Sequence, residues 1–134
     1  MVTSGVAACL CYLAATGLQL KKILKGNGTD VWVKPLAAVA IILHGFTAYK
    51  GFVNISGYDL GIYPMLSLMS LSISAIVLIS SLRRPVDNLL VFVFPIAIST
   101  IILQIALKGD YTPRQDITGG IFTHIALSII AYSL

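Results

Sequence analysis

Two histidines carry most of the chemistry that this chain can offer, and both stand inside long apolar runs. His44 lies between Pro35 and Phe52, and His124 lies between Gly119 and Leu134. An ionisable side chain within a hydrocarbon layer is costly and marks a functional hypothesis by default. A neutral imidazole there can hydrogen-bond a neighbouring helix, pass a proton, or ligate a metal through a ring nitrogen. Other reactive groups are sparse. There is no Glu, and Asp30, Asp59, Asp87, Asp110 and Asp116 all fall in loops or at helix ends. Cys9 and Cys11 are two residues apart, which on a helix points them about 200° away from each other and prevents joint metal binding. No Gly-rich phosphate loop or metal-ligand cluster is present. The expectation is therefore a protein that is not an enzyme, with no machinery for hydrolysis or phosphoryl transfer.

The elements that must position these histidines follow from composition. The chain has 134 residues, 57% of them hydrophobic and 10% charged, with a mean hydropathy of +0.94. Ordinary globular chains are about a quarter charged. Here the charges cluster between long apolar runs, which is the pattern of an all-α integral membrane protein. A crossing needs roughly 20 apolar residues. The runs predict helices over about 2–20, 35–52, 60–82, 88–107 and 117–134, with residues 26–30 as a turn. That makes four complete transmembrane helices and a partial or short fifth, within a single helical domain. The last run ends without a basic or aromatic flank, so the chain is expected to be an N-terminal part of a longer protein.

The net charge of +4 is spread over several loops, which speaks for membrane topology and against a nucleic-acid partner. Lys21, Lys22, Lys25, Lys34, Arg83 and Arg84 fall on one side of the membrane; Lys50, Lys108 and Arg114 fall on the other. The excess of Lys and Arg belongs on the cytoplasmic side, which places the N-terminus outside. The second helix then runs outward and the fifth inward, and counting residues sets both histidines roughly 10 to 12 Å below the outer surface. Two imidazoles at one depth can grip a flat metal macrocycle from both faces, as axial ligands of haem iron. Small residues leave room for it. Ala37, Ala40, His44, Thr47 and Ala48 share one stripe, and Gly120, His124 and Ser128 follow at four-residue steps.

Plainer readings stand beside this one. Each histidine can simply hydrogen-bond a neighbouring helix. Ser67, Ser70, Ser74 and Ser81 form a small polar stripe suited to helix packing, and Gln104 suits an interhelical hydrogen bond or a cofactor contact. Pro95 predicts a kink. Trp32, Tyr49, Phe52, Tyr58 and Tyr63 read as interfacial anchors. Two further functional classes remain open: a transporter or channel component that uses the intramembrane histidines, and a structural membrane subunit.

The run His44-Gly45-Phe46-Thr47-Ala48, the Leu/Ser-rich third helix and the stretch Gly120-Ile121-Phe122-Thr123-His124-Ile125-Ala126-Leu127-Ser128-Ile129-Ile130-Ala131-Tyr132 resemble the N-terminal half of the cytochrome c assembly (CcsA/CcmC-like) family, especially its YpjD/HemX-like branch. The resemblance spans nearly the whole chain. It implies a bacterial inner-membrane protein that binds or handles haem b, with His44 and His124 matching haem-associated histidines. Its implied partners are the lipid bilayer, haem, and further helices or another membrane subunit of a cytochrome c assembly system. Family members continue beyond the position of Leu134 and carry a tryptophan-rich, haem-presenting segment, whereas Trp32 is the only tryptophan here.

Overall fold

A computed structural model describes residues 1–26, 31–107, 109 and 112–134. The residues at 27–30, most of the expected turn, and Lys108, Asp110 and Tyr111 lie outside this description. The helices are α1 (Val2–Lys25), α2 (Val33–Phe52), α3 (Ile62–Arg83), α4 (Leu90–Ala106) and α5 (Gly119–Ser133). The protein is an all-α, multi-pass membrane protein. Counting the single 3-10 turn Asp87–Leu89 with α4, four helices are long and apolar enough to cross a bilayer. At 15 residues, α5 spans only about 22 Å.

The helix ends follow local chemistry. α1 runs one turn past the expected stop at Leu20, because lysine is a good helix former and Lys22 and Lys25 in the last turn complement the helix dipole. Gly26 then ends it with a φ of 63°, its N–H bonding the Lys22 carbonyl, in the left-handed cap that glycine adopts without strain. α2 begins at Val33 and takes Pro35 into its first turn, where no N–H is needed. α3 closes at Arg83 because Arg84 precedes Pro85 and is extended, with φ −132° and ψ 150°. Pro95 lies within α4.

α1 packs on α2 and α4, and α3 packs on α2 and α4, so the first four helices form a closed antiparallel ring. α5 stands outside the ring, against α3. The bundle has two ends, named here for Phe52 and Arg83. Its residue distribution inverts that of a water-soluble bundle. The interior is rich in small and polar residues, with Ala8, Ala15, Ala37, Ala40, Ala97, Ser67 and Ser74 buried around a few large ones (Tyr12, Leu90, Phe94 and Ile101), while Leu10, Leu13, Ile42, Phe46, Ile79, Phe92 and Ile96 are exposed. Lipid chains are as apolar as leucine, so burying leucine gains little there, and small residues that let helices approach closely are favoured inside. Gly5 shows how close the approach is: a Cβ there would run into Ile105.

At the Arg83 end, Lys22 and Lys34 each lie 3.6 Å from the Asp87 carboxylate, and Lys34 Nζ donates to the Ser81 carbonyl at 2.7 Å. At the Phe52 end, the chain forms a short hairpin between α2 and α3. Strand β1 (Val53–Asn54) pairs antiparallel with β2 (Gly57–Tyr58). Tyr58 N–H donates to the Arg114 carbonyl at 2.9 Å, and Arg114 N–H returns a bond at 3.1 Å. This bridge ties the segment leading into α5 to the bundle. Gly57 is required for it, because its φ is 127° and a Cβ would meet the Arg114 backbone.

Gly57→Val is therefore expected to open the bridge and destabilise the protein by about 1–3 kcal/mol, the usual cost of a strained backbone position. Thermal unfolding in micelles should show the loss, with faster proteolysis near Pro113. An unchanged melting profile and cleavage rate would mean that the bridge does not hold the loop.

Candidate functional site

His44 occupies the centre of the four-helix ring. The α2 stripe read from the sequence faces inward as expected: Ala37, Ala40, His44, Thr47 and Ala48 are all buried. With alanines on either side of His44, α1 and α3 come near enough to reach its ring. Tyr12 Oη on α1 lies 3.2 Å from His44 Nδ1, and Ser67 Oγ on α3 lies 3.1 Å from His44 Nε2. Tyr12, His44 and Ser67 are each fully buried. A neutral imidazole has one donor and one acceptor, and this arrangement uses both. Either tautomer serves, since each hydroxyl can donate or accept.

The fourth helix joins through packing. The Tyr12 ring meets the His44 ring edge-on, with centroids 5.8 Å apart, and Phe94 of α4 at 5.0 Å. Further hydroxyl contacts link the same helices. Thr47 Oγ1 donates to Ser4 Oγ at 3.0 Å, and Ser70 Oγ and Thr100 Oγ1 lie 2.6 Å apart. The serine stripe on α3 thus packs against other helices, with Ser67, Ser70, Ser74 and Ser81 all buried.

His124 is placed differently. It is exposed, on a helix with no buried residue. Two contacts give its level relative to His44. The Phe52 and Phe122 rings are 6.4 Å apart; from there His44 lies eight residues further in along α2 and His124 only two along α5. Ser133 Oγ lies 3.5 Å from the Met69 carbonyl; Ser67, the partner of His44, is two residues from Met69, whereas His124 is nine from Ser133. Both registers set His124 about 10 Å closer to the Phe52 end than His44. The two imidazoles are thus brought neither to one level nor to one cavity. His44 is sealed inside the ring and His124 faces away from it.

The first part of the α5 stripe borders open space: nothing lies within 4 Å of a Cβ built at Gly120 and His124 is exposed, while Ser128 is half-buried. Another face of α5 closes an apolar groove of about 490 Å³ with α2 and α3, lined by Gly45, Tyr49, Leu68, Phe122 and Ile129 among others. A planar apolar ligand ligated by His124 would find room against Gly120. One shared by His44 and His124 would not fit, because the ring wall stands between them and both His44 nitrogens are engaged.

Gln104 is 6% exposed, yet its amide nitrogen and oxygen have no hydrogen-bond partner among the described residues. The interhelical bond suggested by its position is not made there. Of the aromatic anchors, Trp32 and Tyr49 are 73% and 61% exposed, but Phe52 is 8% exposed because it packs on Tyr58 and Phe122. Sequence reasoning passed over Tyr12. Its one signal was a phenol in the middle of a charge-free apolar run, far from either interface. Compared with known proteins, no family model, curated protein or solved structure matches the chain.

Replacing His44 with Leu removes the partner that the Tyr12 and Ser67 hydroxyls share and should cost about 1–3 kcal/mol of stability. Tyr12→Phe should cost less, on the order of 0.6–1.7 kcal/mol for an interhelical membrane bond. A double-mutant cycle between the two, measured by reversible unfolding in micelles, is expected to show coupling of about 0.6 kcal/mol or more. Strict additivity would rule out a Tyr12–His44 bond.

Proposed function

We propose that this chain is a haem-handling component of a bacterial inner membrane, related to cytochrome c maturation, and that His124 is the imidazole it offers to haem iron. The observation that carries the reading is the open first part of the stripe, Gly120 and His124, on α5, a helix set outside the closed ring. An imidazole exposed on an apolar helix is available to an axial coordination position, and the glycine one turn away leaves space for the edge of a flat ring. The resemblance of Gly120 to Tyr132 to haem-associated segments of the cytochrome c assembly family supports the same assignment. Bound haem supplies an iron whose axial positions accept imidazole nitrogen. The residues of this chain bind and orient it, and no chemistry on a substrate is assigned to them.

His44, the other imidazole that the sequence offered to haem, is sealed in the ring with both nitrogens hydrogen-bonded, and no part in holding haem is assigned to it. With His124 at the Phe52 end, that end is the extracytoplasmic one, in keeping with Lys21, Lys22, Lys25, Lys34, Arg83 and Arg84 on the opposite side. Further helices or another membrane subunit would cover the exposed face of α5. A transport role for the Tyr12–His44–Ser67 chain is less well supported. Conduction needs wetted ends, and all three side chains are fully buried.

Haem added to the purified protein should give a shifted Soret band. His124→Ala is expected to abolish it, while a folded His44→Ala retains it. Loss of the band only in the His44 variant would move the ligand into the ring, and a spectrum identical to free haem in micelles for the unaltered protein would overturn the proposal.

A further inference from the structure

We infer that a second cavity, at the Phe52 end, is a binding site for a zwitterionic group that carries an ammonium close to an anionic oxygen. The cavity measures about 380 Å³, within the range of small-molecule sites. It lies where the ends of α2, α3 and α4 meet, apart from the α5 stripe assigned to haem. Gln104 lines it. An unpaired buried amide costs about 1–3 kcal/mol, and this one lines a space large enough for a ligand. Gly51 makes the position possible, because a Cβ there would collide with the Gln104 amide.

The other polar groups define what the ligand must be. Lys50 and Met1, which bears the N-terminal ammonium, bring positive charge to the cavity and Asp59 brings negative charge, while Asn54 and Tyr63 add neutral polar groups. Asp59 is held in place by the Gly61 N–H, which donates to its Oδ1 at 2.8 Å. The Lys50 ammonium lies 5.2 Å from the Phe46 ring centre, at the rim of the bundle. A simple anion would meet the Asp59 carboxylate and a simple cation the Lys50 ammonium, each unfavourably. A molecule with both charges satisfies both. Its ammonium pairs with Asp59 and the Gln104 amide oxygen, and its anionic oxygen accepts from the Gln104 amide N–H and Lys50. This chemistry has two sources at a membrane surface: the head group of phosphatidylethanolamine, or a free amino acid.

The test is native mass spectrometry of the whole chain released from vesicles that contain equal amounts of phosphatidylethanolamine and phosphatidylcholine. The methylated ammonium of phosphatidylcholine cannot donate hydrogen bonds, so one phosphatidylethanolamine should be retained roughly tenfold in preference, the ratio expected from one charge-assisted bond. Gln104→Leu and Asp59→Asn should each lower that preference about tenfold. Gln104→Leu removes an amide that has no partner among the described residues, so its melting temperature should be held or raised, which separates loss of binding from loss of fold. In phosphatidylcholine vesicles alone, millimolar alanine supplies the other arm. If alanine binds there and Gln104→Leu abolishes that binding, the source is a free zwitterion; if alanine does not bind and phosphatidylethanolamine is preferred, the source is the lipid. Equal retention of the two lipids without alanine binding, or a preference that survives Gln104→Leu, overturns the inference.

Discussion

The ring of four helices depends on one imidazole with both nitrogens occupied. His44 bonds Tyr12 on one side and Ser67 on the other, and Tyr12 leans on Phe94, so one side chain fixes α1, α2 and α3 directly and reaches α4 through a ring contact. In water the hydrophobic effect would do most of this work. In lipid it contributes little between helices, and orientation about each helix axis has to come from close packing and specific polar bonds. A neutral imidazole is suited to this. It asks for one donor and one acceptor in fixed directions, and each must come from a different neighbouring helix. If α1, α2 or α3 rotated by a single residue, about 100°, one of those partners would swing out of reach.

That constraint explains the composition of the interior. For two helices to bring hydroxyls to within 3.2 Å of one ring, the residues above and below it must be small, and Ala37, Ala40 and Ala48 on α2, Ala8 and Ala15 on α1 and Ser74 on α3 are all fully buried. Most of the large apolar side chains lie on the outside, while Tyr12 of α1 and Leu90, Phe94 and Ile101 of α4 stay within. α5 takes no part in this scheme. It is held by its contact with α3 and by the backbone bridge between Tyr58 and Arg114, so its level is set by a loop and not by the polar centre of the ring.

Much of this was readable from residue order. Runs of about 20 apolar residues, closed by lysine or arginine, locate the four crossings, and the four-residue spacing of Ala40, His44 and Ala48 identifies the inward face of α2. The serine spacing on α3 does the same for Ser67, Ser70 and Ser74. What residue order did not reveal is direction and level wherever these depend on a distant contact. Outward and inward faces of a membrane helix are both apolar, so nothing in Gly120, His124 and Ser128 says whether that stripe meets the ring or turns from it. Counting from predicted helix ends treats every helix as starting in one plane. The Tyr58–Arg114 bridge and the contact of Phe52 with Phe122 set α5 nearer the Phe52 end, and the apparent match in depth between the histidines disappears. Tyr12 and Gln104 fall in the same class, because a single polar residue in an apolar run has no period from which to read its partner.

The two ends of the molecule therefore differ in kind. The middle of the ring is satisfied: Tyr12, His44, Ser67, Ser70 and Thr100 all have partners, and such a network gains nothing from admitting a ligand, because any newcomer must first break a bond already made. Toward the Phe52 end, an imidazole is exposed and an amide is buried without a partner among the described residues. A polar group left unpaired in an apolar setting has a standing free-energy cost, and a ligand that supplies its partner recovers that cost on binding. Binding energy is thus available where hydrogen bonding is incomplete, and the complete pairing around His44 is what keeps the framework fixed while groups at that end exchange their partners.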